Sequence, residues 1–387
     1  MYILFIICIF KFQFYFFIFK WNNNIYQNKK YIFLKMSVKY GKFIPPKIEF
    51  KGDITKMKIV TKVKLGFAFA SRPMLFKGYL VFHFDKSLAF YNKNTFNLVS
   101  KFAFAEEGEE EDEIFSFKEI DEDTLLITNN TSARFVRFSE PEPKKLTYEV
   151  IQEIKETQYY YLGEKLSNGL VLLGGNDKKY SFYKLEHYEA DKRVSKDNLY
   201  KKVGEIENVH NVYSDDTPHI IDLNSGYLFS MMNDDNNIKL IQYEGDFKII
   251  TSLDGYTLHD AGLISDRFIL LKGLTYPKYY TWLFDLEKLK VVKEWETENN
   301  DGFVQVISEN RFLTGDSDKQ RFALQEVKEE IGDFILKDIY ATNFQGFESF
   351  YGNIFLDEKS FITIAEDNYS AEEDYKSPCY VVIFKCE

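Results

Sequence analysis

The stretch VLLGGNDKKYSFYKL, residues 171–185, decides the fold. An apolar strand runs into a polar turn, and a second strand rich in aromatic residues follows it. Two further stretches have the same form, YLFSMMNDDNNIKLIQY (227–243) and RFLTGDSDKQRFALQ (311–325). Short strands separated by turn residues at regular intervals are typical of all-β sandwiches, barrels and propellers.

Four looser copies of this hairpin complete the pattern, at 79–91, 124–138, 268–285 and 360–384. The seven turns are centred near Asp85, Asn129, Asn176, Asp234, Tyr276, Asp316 and Asp367. They lie 40 to 58 residues apart, which is the repeat length of propeller blades. The sequence therefore predicts an all-β protein with seven repeated units.

A further strand follows six of the seven hairpins, and the seventh unit ends at Glu387 without one. The stretch MKIVTKVKL (57–65) is a candidate for the missing strand, and its pairing with the last unit would close the ring. We therefore predict a seven-bladed β-propeller of four-stranded antiparallel blades over residues 57–387, preceded by a lead-in at 36–56 and a hydrophobic segment at 1–35.

The hairpins resemble those of WD40-like propellers over about residues 57–387. Phe284-Asp285 stands where that family has Trp-Asp, and Asp177, Asp235 and Asp318 stand in matching turns. No unit contains a Trp-Asp pair, and the family's Gly-His is absent. The resemblance implies a disc with a central channel that binds partners on its top face.

Net charge and cysteine usage bound the function. The chain of 387 residues carries a net charge of −11, and residues 106–123 alone carry −10. We expect no nucleic-acid partner, because no excess of basic residues exists to bind phosphates. The three cysteines, Cys8, Cys379 and Cys386, form no disulfide framework, which favours a reducing compartment.

Residues 2–19 (YILFIICIFKFQFYFFIF) are almost wholly apolar and just reach the length of a membrane span. Two interpretations stay open: a membrane anchor, or an over-extended start that precedes the natural one at Met36. Lysines downstream of the segment keep the body in the cytoplasm in the first case. Both interpretations predict a cytoplasmic propeller.

Catalytic and metal-binding motifs do not stand out in the sequence. It contains no phosphate-binding loop, no Cys-x2-Cys pair and no Gly-x-Ser-x-Gly elbow. Asp-rich turns at 233–237 and 315–319 lack the ligand series of a calcium loop. We therefore predict no catalytic, cofactor-binding or metal-binding residues and no cofactor.

The candidate binding residues lie in two places. The first is an acidic run that could dock a basic partner, and it comprises Glu106, Glu107, Glu109, Glu110, Glu111, Asp112 and Glu113. The second is the opening of the third unit, where Tyr159 and Tyr161 are interface candidates if exposed and core residues if buried. A solvated loop is the plain alternative for the acidic run.

The sequence favours a non-catalytic, monomeric protein-interaction scaffold. One alternative is a propeller enzyme, a hydrolase or lyase with a site at the channel mouth. Another is a membrane-anchored propeller that binds its partner through the same ring.

Overall fold

A computed structural model shows the fold. It describes residues 3–10, 13–20, 34–36, 39–66, 73–84, 86–104, 114–142, 145–156, 160–175, 178–185, 199–209, 219–232, 237–275, 277–297, 303–316, 321–343, 349–366 and 379–387. Seven four-stranded antiparallel sheets form a ring, so the predicted seven-bladed propeller is confirmed. Each sheet is one blade, and the blades are numbered here from the first complete sheet in the chain.

The first four blades follow the chain without interruption. Blade 1 consists of β5 (Met74–Phe76), β6 (Tyr79–Phe84), β7 (Ser87–Asn92) and β8 (Leu98–Ala103). Blade 2 consists of β9 (Ile114–Glu119), β10 (Thr124–Asn129), β11 (Ala133–Glu142) and β12 (Lys145–Ile154). Blade 3 consists of β13 (Tyr160–Lys165), β14 (Val171–Gly175), β15 (Tyr180–Leu185) and β16 (Tyr200–Ile206). Blade 4 consists of β17 (His219–Asp222), β18 (Tyr227–Met232), β19 (Asn237–Gln242) and β20 (Lys248–Asp254).

The last three blades complete the ring. Blade 5 consists of β21 (Thr257–Leu263), β22 (Phe268–Thr275), β23 (Lys278–Asp285) and β24 (Lys290–Thr297). Blade 6 consists of β25 (Gln305–Ser308), β26 (Arg311–Asp316), β27 (Arg321–Glu330) and β28 (Asp333–Asn343). Blade 7 consists of β29 (Ser349–Asp357), β30 (Ser360–Glu366), β31 (Cys379–Lys385) and β4 (Lys58–Gly66).

Strand β4 closes the ring as predicted. It pairs antiparallel with β31, with Lys58 opposite Lys385 and Val63 opposite Val381. A register shift in β4 lies between these two pairs. Blade 7 therefore takes its outer strand from the other end of the chain, which leaves no blade edge open between the two ends of the ring.

Neighbouring blades approach one another through their first strands, which therefore line the centre of the ring. Because all strands within a blade are antiparallel and sequential, two kinds of connection lie on each face of the ring. One face carries the turns between second and third strands and the connections between blades. The other face carries the turns between first and second strands and those between third and fourth strands. These are called the connection face and the turn face below.

The core lies between the blades, where aromatic side chains of one sheet pack on the next. Trp282 and Phe284 of β23 are almost fully buried, and Phe284 lies 5.3 Å from Phe229 of blade 4, centroid to centroid. Asp285, at the Trp-Asp position of the resemblance, is fully buried and accepts a 2.7 Å hydrogen bond from Arg267. Buried aromatic packing of this kind supplies most of the stabilisation in such a core.

The lead-in packs against the turn face. Tyr40 is buried against Tyr227 of blade 4, and the backbone amide of Lys42 donates to the carbonyl of Leu223. Further along, the backbone amide of Lys51 donates to the carbonyl of Glu358 in blade 7. A short 3₁₀ helix, Ile54–Lys56, follows, and its Ile54 is fully buried. Residues 39–57 therefore run along the turn face from blade 4 to blade 7.

The N-terminal apolar segment contributes two strands of a separate sheet. Strands β1 (Ile3–Phe10), β2 (Gln13–Lys20) and β3 (Leu34–Met36) are paired in that order, each antiparallel to the next. Within the described part of the chain, no helix has the length and apolar character needed to cross a membrane.

Candidate functional site between blades 2 and 3

A polar cavity lies at the boundary between blades 2 and 3, with a volume of about 180 Å³. Glu156 borders it from the connection that leaves blade 2, and the remaining wall belongs to blade 3. An open groove of about 500 Å³ adjoins the cavity and shares Glu156, Tyr183 and Lys202 with it. The cavity therefore opens toward solvent through the groove.

Aromatic packing fixes the two blades around the cavity. The rings of Phe135 in blade 2 and Tyr200 in blade 3 are stacked at 3.8 Å, centroid to centroid. The side chain of Gln152 donates to the carbonyl of Tyr200 and accepts from its amide, at 2.9 and 2.7 Å. Gly163 permits the close approach, since a Cβ there would lie 2.7 Å from a methyl group of Leu126. These contacts hold blades 2 and 3 together beside the cavity.

Two tyrosine hydroxyls face the inner part of the cavity. The Tyr160 hydroxyl accepts a 2.6 Å hydrogen bond from the backbone amide of Glu156. Burial raises the pKa of Tyr183 well above its ordinary value, and the neighbouring Glu156 carboxylate raises it further. The Tyr183 phenol therefore stays protonated at neutral pH, and both hydroxyls can serve as hydrogen-bonding groups.

Alternating charges line the outer part of the cavity. The Lys202 ammonium contacts Glu205 at 2.6 Å and Glu156 at 2.9 Å. Lys179 contacts Glu205 at 3.5 Å and Glu207 at 3.2 Å. This chain of contacts contains three carboxylates and two ammonium groups. Glu207 lies outside the cavity lining, in which two carboxylates face two ammonium groups.

The ion pairs shift the pKa values of their members in opposite directions. The hydrogen bond from Lys202 lowers the pKa of Glu205. Burial alone would lower the pKa of Lys202, but its hydrogen bonds to Glu205 and Glu156 outweigh burial and raise it. Lys202 and Glu205 are therefore both charged near neutral pH and form an ion pair.

Of the sequence-predicted binding residues, the structure describes only Tyr161. The acidic run from Glu106 to Glu113 lies outside the described residues, as does Tyr159. The described residues that flank the run in the sequence are Phe104, after the last strand of blade 1, and Ile114, at the start of blade 2. Tyr161 is 6% exposed and packs 5.0 Å from Phe115, so it takes the core position that its pattern also allowed.

Sequence reasoning missed Glu156, Lys202 and Glu205. They belong to no motif, and lysines and glutamates are common throughout the chain. Only the pairing of the strands and the packing of blade 3 on blade 2 bring them together. Among the residues that the structure describes, no group of three or more His, Cys, Asp and Glu side chains could hold a metal ion. Asp177, Asp235 and Asp318, which stand in the turns that match the WD40-like pattern, lie outside the described residues.

The chain folds as a seven-bladed propeller, and WD40 domains are among the solved structures that share this fold with it at low sequence identity. The WD40 domain of coronin from Toxoplasma gondii superposes with a TM-score of 0.56 at 11% identity, over 88% of this chain and 87% of that one. A chain of a mitotic checkpoint complex superposes with a TM-score of 0.58 at 9% identity, over 93% of this chain and 99% of that one. Hsv2 from Kluyveromyces lactis overlaps less, with a TM-score of 0.43 at 10% identity, over 71% and 98% of the two chains. No protein-family model matches the sequence, and no curated protein matches it.

Proposed function

We propose that this protein is a non-catalytic interaction scaffold that binds a partner with a basic surface on its connection face, beside blades 2 and 3. The observation that carries the proposal is the ionic cavity between these blades, where Glu156 and Glu205 place two carboxylates beside one shared partner, Lys202. A ring of this fold can present such a site without a conformational change. Because the fold by itself does not indicate a function, the proposal is argued from the site. A chain with this fold also occurs in a mitotic checkpoint complex.

The acidic run adds a second, longer-range attraction. It connects blade 1 to blade 2, and the cavity lies where the next connection, from blade 2 to blade 3, begins. Seven acidic side chains in eight residues attract a basic partner over distances near the Debye length, about 8 Å at physiological salt. We infer that the run speeds encounter, while the cavity selects the partner.

The cellular setting follows from the same proposal. A chain without a disulfide framework suits the cytoplasm, and we place the scaffold there as a monomer. Cys386 is buried and free.

Binding of a short peptide rich in arginine and lysine to the full chain tests this function. We expect Glu109→Gln, Glu110→Gln and Glu111→Gln together to weaken binding and to flatten its dependence on salt. The matched control removes three exposed carboxylates from the turn face, Glu309→Gln, Glu329→Gln and Glu330→Gln, and leaves both quantities unchanged. A wild-type chain that fails to bind the basic peptide, or binds an acidic peptide equally well, would contradict the proposal.

A further inference from the structure

The third strands of blades 2, 3 and 4 carry different side chains at one equivalent position. Arg134 of β11, Ser181 of β15 and Lys239 of β19 each precede a buried residue of the inter-blade core, Phe135, Phe182 and Leu240. The pairing partners agree in blades 2 and 3, where Arg134 lies between Ile127 and Glu153 and Ser181 lies between Leu173 and Glu205. In blade 4, Lys239 lies between Ser230 and Ser252. The three positions can therefore be compared directly.

In blades 2 and 4, this side chain binds the connection from the preceding blade. Arg134 donates to the carbonyl of Phe104, which follows blade 1. Lys239 donates to the carbonyl of Val209, which follows blade 3. Phe104 and Val209 are equivalent, because the amide of each donates to the second turn of its own blade, at Lys86 and Lys178. A buried basic side chain of this protein thus occupies the boundary between blades 1 and 2 and the boundary between blades 3 and 4.

Blade 3 keeps the acidic partner of this arrangement and lacks the basic side chain. Glu153 of β12 accepts a 2.7 Å hydrogen bond from Arg134, and Glu205 of β16 is the equivalent carboxylate in blade 3. Ser181 is too short to fill the space that arginine or lysine fills in the neighbouring blades, and the cavity of about 180 Å³ lies there. Lys202 of the outer strand and Lys179 of the second turn contact Glu205 and line the cavity, which remains beside them.

We infer that the cavity between blades 2 and 3 accepts an arginine or lysine side chain of the partner, which takes the place of the basic side chain that blade 3 lacks. This rests on the proposed function and names its chemistry. Glu156 and Glu205 offer carboxylates and Ser181 a hydroxyl to the incoming cation, and hydrogen bonds between charged groups are about twice as strong as neutral ones. The adjoining groove holds the residues that flank the inserted side chain.

The incoming cation and Lys202 compete for the same two carboxylates, those of Glu156 and Glu205. Lys202 already contacts both Glu205 and Glu156, and its side chain is about one-third exposed. An inserted cation shares these carboxylates with Lys202, which turns outward into the groove. Lys202→Gln therefore leaves more negative charge for the guest, and we expect it to raise the affinity for a basic peptide.

The deciding experiment fills the cavity from within. Ser181→Lys reproduces the arrangement of Lys239 in blade 4, and Ser139→Lys adds the same charge at an exposed position of the third strand of blade 2. The probes are short alanine peptides with one central arginine, lysine, glutamine or glutamate. We expect Ser181→Lys to weaken binding of the arginine and lysine peptides about tenfold, and Ser139→Lys to change it less than about twofold.

The outcomes separate this inference from the proposed function. Suppose that Ser181→Lys binds the basic peptides as tightly as wild type, while loss of the carboxylates of Glu109, Glu110 and Glu111 weakens binding. The inference that a partner side chain enters the cavity is then wrong, and the scaffold proposal stands. The inference is also wrong if wild type binds the glutamine or glutamate peptide as tightly as the arginine and lysine peptides. Circular dichroism checks that Ser181→Lys is folded; if it is not, Glu205→Gln replaces it, and unchanged affinity in that variant contradicts the inference.

Discussion

Two boundaries between blades can be compared, the one between blades 1 and 2 and the one between blades 2 and 3. Equivalent strands form both, and each has a glutamate at the same position of the fourth strand, Glu153 or Glu205. They differ in the side chain that lies beside this glutamate. At the first, Arg134 lies buried between Glu153 and the carbonyl of Phe104. At the second, Ser181 lies in that place, and Glu205 is bound only from the outer strand and the second turn. One boundary is completed by the chain itself. The other leaves a polar space, which can be kept for a partner because the aromatic packing beneath it already holds the blades together.

Both boundaries depend on a closed ring, because each blade is held in place by the blades on either side of it. The largest expected effect is therefore the removal of residues 54–65, which takes away most of β4 and the buried Ile54. Loss of one fully buried Ile side chain costs about 2–5 kcal/mol, and the pairing with β31 is lost as well. Since a typical domain is stable by about 5–15 kcal/mol, we expect no cooperative unfolding transition in urea.

Removal of residues 1–35 is the control for that deletion. It spares the lead-in and β4, so the transition should keep its midpoint and slope. A fragment of residues 66–387 that unfolds cooperatively as a monomer would show that the ring does not need β4.

The second effect tests the filled boundary against the open one. Arg134→Met leaves Glu153 and the carbonyl of Phe104 without their shared donor, and we expect a loss of about 2–3 kcal/mol in the free energy of unfolding. Ser181→Ala removes only a hydroxyl beside a cavity, so its cost should stay below about 0.5 kcal/mol. Urea unfolding followed by fluorescence measures both. Equal losses in the two variants would mean that the boundaries are held in the same way.

The fold was predictable from the sequence because strands and turns repeat locally. The hairpin at 171–185 matches β14 and β15, and the stretch 57–65 matches β4 to within one residue. Ring closure followed from counting strands, since one unit lacked its fourth. A strand whose partner is more than 300 residues away could be found only because every other unit supplied its own.

The site was not predictable in the same way, although one signal was present. Aligned on Phe135 and Phe182, the copies at 124–138 and 171–185 place Arg134 opposite Ser181. What the alignment does not show is which connection each side chain faces, because that depends on the packing of one blade on the next. Register shifts beside Phe135 and Phe182 also displace the fourth strands, so the positions of Glu153 and Glu205 could not be read from sequence spacing.

The smallest expected effect is the dependence of stability on pH at the two carboxylates. Burial alone would raise the pKa of Glu153, but Arg134 outweighs it and lowers the pKa; Lys202 lowers that of Glu205. A carboxylate whose folded pKa lies below its unfolded value, about 4.3 for Glu, stabilises the fold above that value. This contribution is lost as the pH falls through the folded pKa.

Glu153→Gln and Glu205→Gln should therefore lower stability near pH 7 and leave it nearly unchanged near pH 2. We expect Glu153→Gln to cost about 1 kcal/mol, because Arg134 is buried and then lacks its carboxylate. Glu205→Gln should cost less, since Lys202 keeps Glu156 and partly exposed ion pairs contribute about 0.2–1 kcal/mol. Urea midpoints measured between pH 2 and pH 7 decide the order. If Glu205→Gln were the costlier change, the open boundary would depend on its carboxylate for stability, and that carboxylate would not be available to a partner's cation.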